Sequence, residues 1–130
     1  MEKKRGIWID RHKAMIVDPE NGTRPFKTVF SDLNNQDPER PYRDIYRNPE
    51  KKLQAKKEKM LRDYYEHVID SLDEESELFI FGPASAKNEL QKQIGTSYKQ
   101  LKCVGVENEE KFTDNQVVAR VKDYFKMRRW

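Results

Sequence analysis

The sequence predicts an α/β fold in a single domain, and two observations carry this prediction. The segment from Leu78 to Phe81 is an apolar run without polar alternation, which is typical of a strand that is buried on both faces. After Gly82-Pro83, apolar residues recur at a spacing of four, at Ala86, Leu90 and Ile94, which indicates one face of a helix. A central strand that leads into a helix requires helices layered on a sheet.

Three strands are predicted before this unit. Gly6 to Asp10 and Ala14 to Val17 are short apolar segments joined by a polar turn, which indicates a β-hairpin. Glu20 to Gly22 is a second turn, and Thr23 to Phe30 then alternates as a half-exposed strand does. Pro25 indicates that this third strand lies at an edge of the sheet, because proline cannot donate a hydrogen bond to a neighbouring strand.

Two further helices and one strand complete the order β-β-β-α-β-α-β-α. Asn48-Pro49 begins a long helix that runs to about Leu72, with lysine-rich early turns that project into solvent. Gln100 to Val106 is the last strand. Thr113 and Gln116 match a capping box, which predicts the start of the final helix, with Phe112 stapled onto it.

The helix after the central strand also has predicted boundaries. Pro83 suits its first position, where the missing N–H costs nothing. Gly95 suits its C-terminal stop.

The composition indicates one globular domain with a lean core. Of 130 residues, 38% are charged and 35% hydrophobic, which is enough for a single core. No apolar run approaches the roughly 20 residues of a membrane span, and no apolar stretch of a secretory signal follows Met1 to Arg5. Cys103 is the only cysteine, so no internal disulfide forms, and we expect a small buried residue there rather than a reactive thiol. These features predict a cytoplasmic protein.

Charge is unevenly distributed, although the net charge is only +3. From Arg40 to Arg62 there are nine basic and three acidic residues, a net charge of +6. From Asp63 to Glu77 there are seven acidic residues and no Lys or Arg, a net charge of −7. This asymmetry favours orientation toward an anionic partner, and an ordinary solvated helix is the alternative.

Several of these segments, in their order and spacing, resemble the central domain of the eukaryotic and archaeal peptide-release-factor and Pelota family. They are Gly6 to Asp10, Ala14 to Val17, Leu78 to Leu90, and Phe112 to Val121. The similarity spans Gly6 to Phe125, and the chain resembles stand-alone bacterial relatives of that domain (translational machinery protein-like). It implies a ribonuclease-H-like fold, a mixed five-stranded sheet in which the fourth strand lies parallel to the first.

In release factors, the loop before the long helix carries Gly-Gly-Gln, which promotes hydrolysis of peptidyl-tRNA. The corresponding loop here is Ser31 to Arg47, and the chain contains no Gly-Gly-Gln. Asn34-Asn35-Gln36 lies in this loop, but asparagine has a Cβ that hinders close backbone approach to an ester. The resemblance therefore implies a non-enzymatic module, since Pelota-type relatives also lack the motif and do not hydrolyse. A divergent peptidyl-tRNA hydrolase that uses Gln36 is the alternative.

A second enzymatic alternative is a two-metal nuclease, which needs carboxylates that converge on a strand end. Asp10 ends the first strand and is the candidate for the carboxylate at that strand end. The other candidate ligands are Asp32, Glu66, Asp70 and Asp114. Aspartate is also a common turn residue, and the resemblance places Asp10 in a turn, so we expect neither a metal nor a cofactor.

The basic stretch with interleaved tyrosines is the predicted nucleic-acid contact. Lysine and arginine bind phosphates regardless of sequence, and tyrosines stack on unpaired bases. The predicted contact residues are Arg40, Tyr42, Arg43, Tyr46, Arg47, Lys51, Lys52, Lys56, Lys57 and Lys59. The expected partner is ribosomal RNA or tRNA, which makes the protein a translation-associated binding module.

Two other binding surfaces are open alternatives. Gly82 and Lys87 are candidates for a phosphate site at a helix N-terminus, although tight packing of the turn explains the glycine equally well. The acidic segment from Asp63 to Glu77 suits a basic ribosomal protein. The chain ends in a basic tail, 126–130.

Overall fold

The computed structural model describes residues 3–31, 49–97, 99–109 and 113–127, without the side chains of 49–52 and 127. Its elements follow the predicted order. They are β1 (Lys3–Ile9), β2 (Lys13–Val17), β3 (Phe26–Phe30), α1 (Pro49–Asp70), β4 (Glu75–Gly82), α2 (Ala86–Ile94), β5 (Gln100–Asn108) and α3 (Asp114–Met127).

The strands form one mixed sheet in the order β3-β2-β1-β4-β5. β1 pairs antiparallel with β2, and β2 antiparallel with β3. β4 pairs parallel with β1 and with β5. The five-stranded arrangement with the fourth strand parallel to the first is therefore confirmed. β3 begins directly after Pro25 and lies at an edge, as the proline predicts.

β4 lies at the centre of the core and contacts helices on both of its faces. Leu78 and Ile80 join the cluster formed with α1 and α2, whereas Phe79 and Phe81 join the cluster formed with α3. Because side chains alternate along a strand, four consecutive apolar residues supply both clusters. All four are fully buried, which confirms the prediction of a strand buried on both faces.

The two ends of α2 differ from the prediction. The helix begins at Ala86 with Ser85 as its N-cap, so Pro83 is not its first residue. The chain first turns through positive φ angles at Gly82 (+149°) and Ala84 (+54°), which are incompatible with a helix that starts at Pro83. Gly95 does follow the last helical residue, but its φ of −61° is right-handed, so the stop does not use glycine's conformational freedom.

The start of α3 is formed by the predicted capping box. The Thr113 N–H donates to Gln116 Oε1 at 2.9 Å, and the Gln116 N–H donates to Thr113 Oγ1 at 3.3 Å. Phe112, predicted to staple this end, lies outside the described residues.

Cys103 is half-buried in β5, and burial raises the pKa of its thiol. In the part of the chain that the structure describes, no helix combines the length and apolar character needed to cross a membrane.

Candidate nucleic-acid interface

The buried side chains of α1, among those that are described, all lie in its second half. The first buried side chain along its described part is Leu61. The buried side chains of this half are Leu61, Tyr64, Tyr65, Val68 and Ile69. Before them, no described side chain from 53 to 60 is buried, and Leu53 is 42% exposed. At about 1.5 Å per residue, residues 49–60 extend about 18 Å past the packed half. We call residues 49–60 the arm.

The arm leaves the body at the carboxyl-terminal edge of β1 and β4. α1 leads into β4 and packs back along it, so its N-terminal half lies near the end of that strand. The Tyr64 hydroxyl donates to the backbone carbonyl of Asp10 at 2.9 Å, which ties the start of the packed half to the end of β1. Ligands of open α/β sheets bind outside the carboxyl ends of parallel strands, where the chain direction diverges.

No ion pair joins the described cations of this region to a carboxylate within the described residues. These cations are Lys56, Lys57, Lys59 and Arg62. The arginines that do form ion pairs are Arg5, 2.8 Å from Asp73, Arg11, 3.1 Å from Glu89, and Arg120, against Glu107. No carboxylate in the described ranges is thus paired with the cations of the arm.

The described residues contain only part of the predicted interface. Lys56, Lys57 and Lys59 lie in the arm, exposed except for the half-buried Lys56. Lys51 and Lys52 belong to the first turn of α1, and their side chains are not described. The other predicted contact residues lie outside the described residues, namely Arg40, Tyr42, Arg43, Tyr46 and Arg47. The candidate catalytic residue Gln36 and the candidate metal ligand Asp32 also lie outside them.

Asp10 builds a turn. Its Oδ1 accepts hydrogen bonds from the backbone N–H groups of His12 at 2.7 Å and Lys13 at 2.8 Å. This is the Asx-turn arrangement, in which the carboxylate stands in for a backbone carbonyl.

The candidate metal ligands that are described do not converge on Asp10. Glu66 and Asp70 are exposed on α1, and Asp114 begins α3 on the opposite face of the sheet. Within residues 3–31, 49–97, 99–109 and 113–127, no group of three His, Cys, Asp or Glu side chains is placed to hold a metal ion.

Gly82 and Lys87 both serve the turn between β4 and α2. A Cβ at Gly82 would overlap the carbonyl oxygen of Ile9, so close approach of β4 to β1 requires glycine here. Lys87 is 6% exposed, and its ammonium donates to the carbonyl oxygen of Ala84. The structure thus accounts for both residues by the packing of the turn, with the lysine pointed inward rather than toward an external phosphate.

A hydrogen-bond network at the base of the arm joins α1, α2 and the β1–β2 turn. The Tyr65 hydroxyl donates to Glu89 Oε1 at 2.6 Å, and Arg11 donates to Glu89 Oε2 at 3.1 Å. Burial, reinforced by Glu89, raises the pKa of Tyr65, and burial with the nearby Asp10 charge raises that of Tyr64. Both hydroxyls therefore stay protonated and remain donors.

This network borders a groove between α1 and α2 with a volume of about 280 Å³. The residues that line it are Glu58, Leu61, Arg62, Tyr65, Glu89, Lys92 and Gln93. We call it the α1–α2 groove. Sequence reasoning missed it because its walls come from two helices whose contact depends on the sheet beneath them. Its only local signal is Arg62, the last basic residue of the positive stretch.

No protein-family model matches this chain. A search of curated proteins finds no match either.

Proposed function

We propose that this protein is a cytoplasmic, translation-associated module that binds ribosomal RNA or tRNA through the arm and does not hydrolyse it. The observation that carries the proposal is the set of cations without described ion-pair partners on a helix segment that extends beyond the core. Phosphates bind lysine and arginine without regard to base sequence, and a projecting helix presents them without obstruction from the sheet.

The outward stripe of α1 changes sign where the helix meets the body. Five charged residues follow one another at spacings of three and four, which places them on one side of the helix. They are Lys56, Lys59, Asp63, Glu66 and Asp70. The stripe is basic along the arm and acidic along the packed half. A polyanion is attracted to the first part and repelled by the second, so the charge pattern orients it at the arm.

The strength of this contact is set by counterion release. Each phosphate neutralised on a single strand contributes about −0.7 to the slope of log K against log salt. The three described lysines of the arm, Lys56, Lys57 and Lys59, therefore account for a slope of roughly −2.

The direct test is RNA binding by fluorescence anisotropy and ribosome co-sedimentation across a salt series. The triple variant Lys56→Glu, Lys57→Glu, Lys59→Glu is expected to lose binding and most of the salt dependence. The matched control reverses three exposed lysines away from the arm, Lys102→Glu, Lys122→Glu and Lys126→Glu. Equal losses in both triple variants, or no loss in the arm variant, would show that the arm is not the binding surface.

The non-enzymatic part of the proposal is tested separately. Labelled RNA and charged tRNA are incubated with the protein, with and without Mg²⁺ or Mn²⁺, and we expect no turnover. Turnover abolished by Gln36→Ala would establish the hydrolase alternative, and turnover abolished by Asp10→Asn would establish the nuclease.

A further inference from the structure

We propose that the α1–α2 groove receives one unpaired nucleotide of the RNA held by the arm, with its phosphate between Arg62 and Lys92, so that the protein prefers single-stranded to duplex RNA. This inference rests on the proposed function and adds to it the class of RNA that is bound.

The groove begins where the arm ends. Arg62 lies three residues after Lys59, which is about one helical turn, and Glu58 belongs to both the arm and the groove wall. A strand whose phosphates lie along the arm therefore reaches the groove directly.

The charges of the groove favour an anion, although it contains two acids and two bases. Both oxygens of Glu89 are engaged, by the Tyr65 hydroxyl and by the Arg11 guanidinium. Glu58 accepts a hydrogen bond from Gln54 Nε2 at 3.3 Å. The exposed side chains of Arg62 and Lys92, in contrast, have no hydrogen bond or ion pair to any residue in the described ranges. Only Arg11 offsets a carboxylate charge here, and with it the groove carries three cations against two carboxylates, a net charge of +1.

The size and floor of the groove favour a single unpaired base. Its volume of about 280 Å³ lies just below the roughly 300 Å³ at which small-ligand sites begin. Leu61 and Tyr65 form an apolar floor. Gln93 donates its Nε2 to the carbonyl of Arg62 at 2.9 Å, which leaves its own side-chain oxygen to accept from a base edge. A paired base cannot enter, because stacking and pairing hold it inside the duplex.

The experiment compares one mixed-sequence RNA as a single strand and as an annealed duplex, by anisotropy across a salt series. The wild-type protein is expected to bind the single strand about tenfold more tightly than the duplex, because contacts to one unpaired base add about this much affinity. The double variant Arg62→Gln, Lys92→Gln is expected to lower the salt slope for the single strand by about 1.4 and to leave duplex binding unchanged. The control Lys102→Gln, Lys122→Gln removes the same charge elsewhere and is expected to leave the preference intact.

The outcomes separate this inference from the function on which it rests. Equal binding of single strand and duplex, or a preference that survives the groove variant, overturns the inference while binding by the arm stands. Failure of the wild-type protein to bind either RNA overturns the proposed function and the groove assignment together.

Discussion

The two halves of α1 share one helical backbone but differ in what holds them. The packed half is fixed by buried apolar side chains and by the Tyr64 hydroxyl bond to Asp10. Its C-terminal end is fixed by Lys99, whose Nζ donates to the carbonyls of Ile69 at 2.9 Å and Leu72 at 2.8 Å. The arm has no buried side chain among its described residues. The comparison teaches that a lysine at one end of this helix, Lys99, contributes to stability, whereas the described lysines at the other end make no such contact with described residues.

The largest expected effect comes from apolar truncation in the packed half. Ile69→Ala is expected to lower the free energy of unfolding by about 3 kcal/mol, because a side chain only 6% exposed leaves a cavity. The matched change in the arm, Leu53→Ala, is expected to cost less than about 0.5 kcal/mol. Urea unfolding of both variants measures the difference. A similar cost at the two positions would mean that the arm is packed, which would remove the basis for the comparison.

The buried tyrosines make the packed half sensitive to alkaline pH. Burial raises the pKa of Tyr64 and Tyr65 above the ordinary value near 10, so the unfolded chain releases their protons first. Their stabilising contribution is complete below about pH 10 and is lost above it, by about 2 kcal/mol between pH 10 and 11. Urea unfolding of the wild type at the two pH values measures the loss. The double variant Tyr64→Phe, Tyr65→Phe should show a shallower decline, and an equally steep decline would assign the effect to other groups.

A smaller effect is expected from the lysine that binds the C-terminal end of α1. Lys99→Met removes two charge-assisted hydrogen bonds, which is expected to cost about 1 to 2 kcal/mol, although the Ile69 carbonyl keeps its bond from the Leu72 N–H at 3.0 Å. Lys57→Met, in the arm, is the matched control and should leave unfolding unchanged. Native-state hydrogen exchange adds a local measurement, since amides of the last turn of α1 should lose protection only in the Lys99 variant. Loss of protection in both variants would contradict the division between the halves.

The features that could be predicted from the sequence are those determined by residues close together in the chain or by simple periodicity. Leu78 to Phe81 needs no partner to be recognised as a doubly buried strand, and the box from Thr113 to Gln116 spans only four residues. The exposed early turns of α1 were predicted in the same way, because apolar residues are sparse there.

What could not be predicted depends on contacts between distant parts of the chain. The glycine requirement at position 82 comes from the Ile9 carbonyl, which belongs to a different strand. Pro83 was assigned to the helix because nothing local reveals that Gly82 and Ala84 both adopt positive φ. Likewise, Tyr65 meets Glu89 across 24 residues only after α1 and α2 have settled on the sheet.

Because the described side chains of the arm are not buried in the core, the length of the arm is decoupled from folding. Insertion of seven residues there adds about 10 Å and returns the helix to nearly the same rotation, since seven residues make almost two turns. The lysine stripe then keeps its direction while its distance from the sheet changes. Evolution or an engineer can thus adjust the reach of the molecule without altering its interior.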